Sequence, residues 1–118
     1  ELSLDGAPSW MPSQDSVRLI HIHQDQVVAV PRDATLIGST SFCANAMFHI
    51  GDNVFCMQGH PEFTPEYTAA LMQTRREKMG KDRVDHALQT LEADHEGLTI
   101  AGWIATFFRQ HAQKREAA

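Results

Sequence analysis

Apolar residues in the first half of the chain recur with the period of β-strands. Three short runs carry this pattern and are rich in β-branched residues: residues 17–23 (VRLIHIH), 26–31 (QVVAVP) and 34–40 (ATLIGST). Two further apolar runs flank Gly51, Asp52 and Asn53, which tolerate turn conformations and so predict a hairpin. We expect about five short strands, several antiparallel, and no further element before Val17.

The spacing of apolar residues becomes helical after residue 63. Thr64 is a suitable N-cap and Pro65 a suitable first helical residue, which predicts a helix to about Met79 with Gly80 as its stop. We expect a second helix capped by Asp82 and ended by Gly97. A third helix is predicted over residues 98–114, with one apolar stripe made of Ile100, Ile104, Phe107 and Phe108 and with Trp103 beside it.

Strands followed by helices in 118 residues indicate an α+β or an incomplete α/β fold, strand-rich over residues 1–63 and helical over residues 64–118. The apolar strands need cover on both faces, and three helices are few for that task. The chain also begins with Glu rather than Met. The pattern therefore predicts that these residues form part of a larger domain.

Composition narrows the classes of function. The net charge of −5 argues against a nucleic-acid partner, and no apolar run approaches the ~20 residues that cross a membrane. The N-terminus resembles no signal peptide. Two cysteines outside any C-x-x-C pair favour a reducing compartment, so we expect a cytoplasmic protein. Nothing in the sequence predicts a cofactor.

The segment MQGHPEF, residues 57–63, carries the candidate chemistry. Pro61 favours an extended conformation for His60, and residues i and i+2 of an extended chain project to one side. The imidazole of His60 and the carboxylate of Glu62 are therefore expected to meet at the end of a strand. A carboxylate can orient an imidazole that takes a proton from a Ser or Cys nucleophile.

Two segments together resemble the class I glutamine amidotransferases. Q-G-H-P-E after an apolar strand is similar to their second-half signature, and HQDQVVAVP, residues 23–31, is similar to their H-x-D-x-V stretch. The agreement in order and spacing runs from about residue 19 to residue 63. The combination is closest to the subgroup of GMP-synthase-like amidotransferases and γ-glutamyl peptidases.

This resemblance implies an α/β fold with an open sheet and a Cys-His-Glu triad, in which His60 is the general base and acid and Glu62 orients it. It also implies that Gln24 lies at the rim of the substrate site. We expect His23 to line the same rim, and Asp25 either to brace the turn between strands or to help position the substrate. The substrate would be glutamine or a γ-glutamyl compound, with no metal in the reaction. Whether a synthetase domain or partner accompanies the hydrolase stays open.

The resemblance supplies no nucleophile from this chain. The family's Cys lies on a G-x-C-x-G elbow, and neither Cys43 (SFCANA) nor Cys56 (VFCMQG) has the flanking glycines. About 13 Å of extended chain also separates Cys56 from His60. We therefore expect the chain to be the C-terminal portion of one amidotransferase-like domain, whose N-terminal half carries the Cys, and to be inactive in isolation.

Two other readings stay open. The chain can be a non-catalytic or regulatory relative that keeps the fold. Alternatively, His21 and His23, which share one face of a predicted strand, can bind a metal with His49 as third ligand. We expect instead that His21 is a hydrogen-bonded core residue. The basic segment at residues 75–83 is expected to be a solvated face.

Overall fold

The computed structural model describes residues 1–117. The first half of the chain forms a small antiparallel sheet. Its strands are Leu2–Leu4 (β1), Ser16–Val17 (β2), Ala34–Ser39 (β3), Met47–Ile50 (β4) and Val54–Met57 (β5). They follow the order β2-β1-β3-β4-β5, and every pair is antiparallel. Ile50 pairs with Val54, so the predicted hairpin turn at residues 51–53 is confirmed.

Four helical segments follow the sheet within the described residues. Thr64 caps the first, since its Oγ1 accepts the Tyr67 N–H at 3.2 Å, and Pro65 takes the first helical position as predicted. The predicted first helix is interrupted at Arg75, and Gly80 ends the second segment. The bounds are Pro65–Thr74 (α1), Arg76–Met79 (α2), Lys81–Thr90 (α3) and Gly97–Glu116 (α4).

The hydrophobic core joins the sheet to α4. Trp10, in the loop between β1 and β2, contacts Phe107 edge to face with ring centroids 5.3 Å apart. Phe108 of the predicted stripe is 65% exposed, because its neighbour Phe107 already faces the core and adjacent helical residues point about 100° apart. The central contributors are Leu2, Val17, Ile37, Met47, Ile100, Trp103 and Phe107.

These elements confirm the expected α/β fold, with strands before residue 64 and helices after it. In the described part of the chain, no helix is both long and apolar enough to cross a membrane.

Several predicted strand boundaries are wrong, because strand formation depends on hydrogen-bonded pairing with distant parts of the chain. Of residues 17–23, only Val17 belongs to a strand, and Ile20 forms a single bridge to His60. Residues 26–31 form no strand, and Val28 is 93% exposed. The chain before Val17 contributes β1, which lies between β2 and β3 and buries Leu2 completely.

The second predicted helix corresponds to α3, and its predicted bounds are also wrong. It starts at Lys81 with Gly80 as its N-cap, so Asp82 lies inside the first turn rather than capping it. It ends at Thr90, whereas Gly97 begins α4. Glu96 fixes this start because its N–H donates to the Arg18 carbonyl at 2.8 Å.

Candidate active site

The side chains of His60 and Glu62 meet just beyond the end of β5. His60 Nδ1 lies 2.9 Å from Glu62 Oε1, so the predicted contact is present. The backbone there forms a turn, closed by the Phe63 N–H and the His60 carbonyl at 3.3 Å, rather than the extended chain that was predicted. Because an ionised carboxylate only accepts, Nδ1 carries the hydrogen and the neutral ring keeps its lone pair on Nε2.

The electrostatics of the pair favour an ionised carboxylate. The hydrogen bond from His60 is the main cause that holds the pKa of Glu62 below its ordinary value of 4.5, and burial, the next largest effect, opposes it. Glu62 is therefore an anion at neutral pH, as an orienting partner must be. The arrangement can accept a proton at Nε2 while the carboxylate stabilises the resulting imidazolium.

Two further contacts hold the His60 residue. Its backbone N–H donates to the Ile20 carbonyl at 2.8 Å. Its ring stacks on Phe63, with centroids 4.2 Å apart and planes only 8° from parallel, and Tyr67 packs its ring edge to face on Phe63 at 4.8 Å. The His60 side chain nevertheless stays 31% exposed, so a ligand can reach it.

The predicted substrate-binding residues lie on an irregular segment that runs beside His60. The segment is fixed at Ile20 by the bridge to His60 and at Val27 by two side chains. The Val27 N–H donates to Gln58 Oε1 at 2.7 Å, and the Val27 carbonyl accepts from Asn45 Nδ2 at 2.8 Å.

Between these two fixed points, the three predicted residues differ in exposure. Gln24 and Asp25 are exposed. The ring of His23 is partly buried, with its centroid 5.8 Å from that of His21 and 6.5 Å from that of Phe42. The segment that carries these three residues contacts His60 through Ile20 and Gln58 through Val27. The role of the three residues in binding stays a prediction.

His21 is partly buried against the start of the motif. A Cβ added to Gly59 would lie 3.1 Å from His21 Nε2, which places this ring against the residue before His60. Burial lowers the pKa of His21 to about 4, with smaller contributions from His23, the N-terminus and His60. His21 is therefore neutral at pH 7. The expected hydrogen bond is wrong, because its buried Nε2 has no partner among the described residues.

The geometry gives no support to a metal site on His21, His23 and His49. His49 Nδ1 instead donates to the Gly51 carbonyl at 2.9 Å, and its ring lies edge to face with Trp10. Among residues 1–117, no three His, Cys, Asp or Glu side chains come together as a metal would require.

Neither thiol of the chain lies on a turn from a strand into a helix. Burial raises the pKa of the Cys43 thiol, which opposes formation of the thiolate that attacks. Cys56 lies inside β5, in register with Phe48. Both cysteines are free.

Sequence reasoning missed the residues that support the motif. The stacking of Phe63 and the tethering by Asn45 depend on side-chain directions that no spacing rule reveals. Gln58 stands within the quoted motif, but its bond to Val27 joins segments 31 residues apart. Gly97, whose neighbour is Pro61, carried only the signal of a helix stop.

Comparison with known proteins gives partial matches. The chain is 38% identical over 79 residues to γ-glutamyl peptidase 3 of Arabidopsis thaliana, covering 65% of this chain and 32% of that protein. It is 42% identical over 48 residues to γ-glutamyl peptidase 4 of the same plant, covering 41% and 19%. It is 30% identical over 89 residues to a glutamine amidotransferase-like protein of Schizosaccharomyces pombe, covering 72% and 36%.

The chain thus spans about a third of the length of γ-glutamyl peptidase 3 and of the Schizosaccharomyces pombe protein. No family model matches it, and no solved structure gives a significant match. The relatives bear the same family names that the residues around His60 and Glu62 suggested. The chain belongs to the class I glutamine amidotransferase-like family.

Proposed function

We propose that this chain supplies the His and Glu of a Cys-His-Glu triad in a hydrolase that cleaves a γ-glutamyl bond or the amide of glutamine. The hydrogen bond between His60 Nδ1 and the Glu62 carboxylate carries the proposal. It fixes the tautomer in which Nε2 can take a proton from a thiol. The γ-glutamyl peptidase names of the relatives support the choice of bond.

The reaction divides into two steps at a nucleophile Cys supplied by the rest of the parent protein. His60 Nε2 takes the thiol proton, the thiolate attacks the γ-carbonyl carbon, and the C–N bond breaks as the imidazolium protonates the leaving amine or ammonia. His60 then takes a proton from water, whose oxygen attacks the thioester, and returns it to the departing thiolate as glutamate is released.

The surface of the chain supports the proposal that the nucleophile lies in an additional part of the parent. A compact monomer of this mass exposes roughly 6,400 Å², whereas this chain exposes 7881 Å². An open cleft of about 680 Å³ lies beside the segment that leads to the site, lined in part by Leu19, His21, Phe42 and Met72. We propose that the N-terminal half of the same domain fills this cleft and carries the G-x-C-x-G elbow.

His60→Ala in the full-length protein tests the function. Glutamate release from glutamine and from γ-glutamyl para-nitroanilide should fall by at least roughly 10⁴-fold, because the proton acceptor is lost. His86→Ala, an exposed His on α3, is the matched control and should retain wild-type turnover. Turnover by His60→Ala within tenfold of wild type refutes the assignment.

The parent sequence separates the catalytic reading from its non-catalytic alternative. An elbow with Cys between its glycines favours the hydrolase. Ser, Gly or Ala at that position favours a relative that keeps the fold without turnover.

A further inference from the structure

We propose that Gly97 is a positioning residue for the catalytic pair: with no side chain, it lets the start of α4 lie directly against the carbonyl of Pro61, between His60 and Glu62. The inference rests on the proposed function, because the pair it positions is the one assigned to catalysis. Gly97 itself touches neither reacting atoms nor substrate.

The contact between Gly97 and Pro61 has no room for a methyl group. A Cβ added to Gly97 would lie 2.3 Å from the Pro61 carbonyl oxygen and 3.3 Å from its carbon. Ordinary contact with a Cβ begins at 3.4 Å, so the two segments would have to separate by roughly 1 Å. The atoms in the way are backbone, so no side-chain rotation relieves the clash.

The start of α4 cannot easily move away. Glu96, the residue before Gly97, accepts the Arg18 N–H on its carboxylate at 2.9 Å and donates its own N–H to the Arg18 carbonyl at 2.8 Å. Beyond Gly97, the buried side chains of Ile100 and Trp103 fix the first turns of α4 in the core. Displacement is therefore expected to fall on the turn at residues 60–63.

Movement of this turn would displace Glu62 relative to His60, whose backbone is anchored separately. The His60 N–H is held by Ile20, two residues beyond Arg18, whereas Glu62 is tied to His60 by the side-chain bond. A shift of Pro61 by roughly 1 Å therefore acts on the Nδ1–Oε1 bond itself. Misplacement of a catalytic group by about 1 Å can cost about 10²-fold in rate.

The experiment compares Gly97→Ala with Gly102→Ala in the full-length protein. Gly102 lies on the same helix, and a Cβ there meets nothing within 4 Å. One readout is kcat on γ-glutamyl para-nitroanilide. The other is the pH titration of the Glu62 carboxyl carbon by NMR, which reports the bond without needing activity. Circular dichroism checks that each variant folds.

Gly97→Ala should lower kcat about 10²-fold and move the Glu62 titration up toward 4.5, the ordinary value. Gly102→Ala should change neither readout. A folded Gly97→Ala protein with wild-type kcat and wild-type Glu62 titration overturns the inference.

The two readouts separate this inference from the proposed function. A wild-type protein without turnover, in which Gly97→Ala still shifts the Glu62 titration, contradicts the function and supports the positioning role. If Gly97→Ala does not fold, Glu96→Ala releases the same helix start without adding an atom. It should shift the Glu62 titration in the same direction, and a folded Glu96→Ala protein with an unchanged titration overturns the positioning role.

Discussion

At the imidazole of His60, three contacts restrain three different motions. The backbone bond to Ile20 fixes where the residue sits, the bond to Glu62 fixes the rotation of the ring within its plane, and the stack on Phe63 fixes the plane. Only Nε2 is left for chemistry. A general base needs this combination of a fixed ring and a free nitrogen.

Replacement of the carboxylate tests how far orientation depends on charge. Glu62→Gln should lower kcat by less than His60→Ala does, because the amide oxygen can still accept from Nδ1 but carries no charge. The Glu62 side chain is 61% exposed, so water screens part of its effect on the imidazolium. Steady-state rates of the two variants on one substrate decide the matter. A loss equal to that of His60→Ala contradicts the orienting role.

Acid should weaken the His60–Glu62 bond over a defined range. Because the pKa of Glu62 is lowered in the fold, the stabilisation by this bond is present at and above pH 4.5 and is lost as the pH falls through the lowered value. The wild-type Nδ1 proton signal, followed by NMR, should disappear below pH 4.5 and not above it.

His21 should make the fold sensitive to mild acid. Its pKa is lowered to about 4 in the folded chain, so between the ordinary value of 6.5 and about 4 the unfolded state binds the proton more readily. The free energy of unfolding should therefore fall as the pH drops through this range. Urea denaturation of His21→Gln should show a weaker fall than wild type, whereas His86→Gln should match wild type. Equal pH dependence in all three would exclude the proposed burial effect.

At the scale of elements, local signals predicted local structure. The hairpin turn at residues 51–53 and the start of α1 at Thr64 and Pro65 follow from turn and capping chemistry within a few residues, and both are confirmed. β1 and β2 have only three and two residues, and their existence depends on pairing across the chain. No local pattern specifies such a partner.

The contacts of the candidate site are likewise of two kinds, local ones that the sequence predicts and distant ones that it does not. The contact of His60 with Glu62 is local and was predicted from their spacing across Pro61. The closeness of Gly97 to Pro61 joins residues that only the folded chain brings together. In the sequence, Gly97 is indistinguishable from a glycine that ends a helix. Only the folded structure shows that it is needed because a side chain would not fit against Pro61.

The segment from Ile20 to Val27 illustrates how side chains can replace a missing strand partner. Gln58→Leu removes the acceptor of the Val27 N–H, so exchange of that amide with deuterium should quicken roughly tenfold, the equivalent of about 1.4 kcal/mol. Gln89→Leu, an exposed position on α3, is the control. An unchanged exchange rate at Val27 in Gln58→Leu would mean that the side chain does not tether the segment.

At the scale of the whole molecule, the chain is extended for its length. Its radius of gyration is 15.9 Å, whereas a compact domain of this size has about 13.5 Å. Large apolar side chains also face solvent, among them Val28 at 93%, Phe42 at 76% and Leu98 at 91% exposure. In the described residues, β5 pairs only with β4, which leaves an open apolar edge.

These features predict that the isolated 118-residue chain self-associates at micromolar concentration, whereas the full-length parent does not. Size-exclusion chromatography with light scattering measures this directly. A well-behaved monomer of the isolated chain would contradict the proposal that a further part of the domain covers the cleft.

The most direct test of the account is the protonation of the His60 ring in the full-length protein. Nitrogen NMR at a pH where the ring is neutral should find the hydrogen on Nδ1 and the lone pair on Nε2, and Glu62→Gln should weaken that preference. A neutral ring with its hydrogen on Nε2, unaffected by Glu62→Gln, would contradict the claim that this pair is built to accept a proton from a nucleophile.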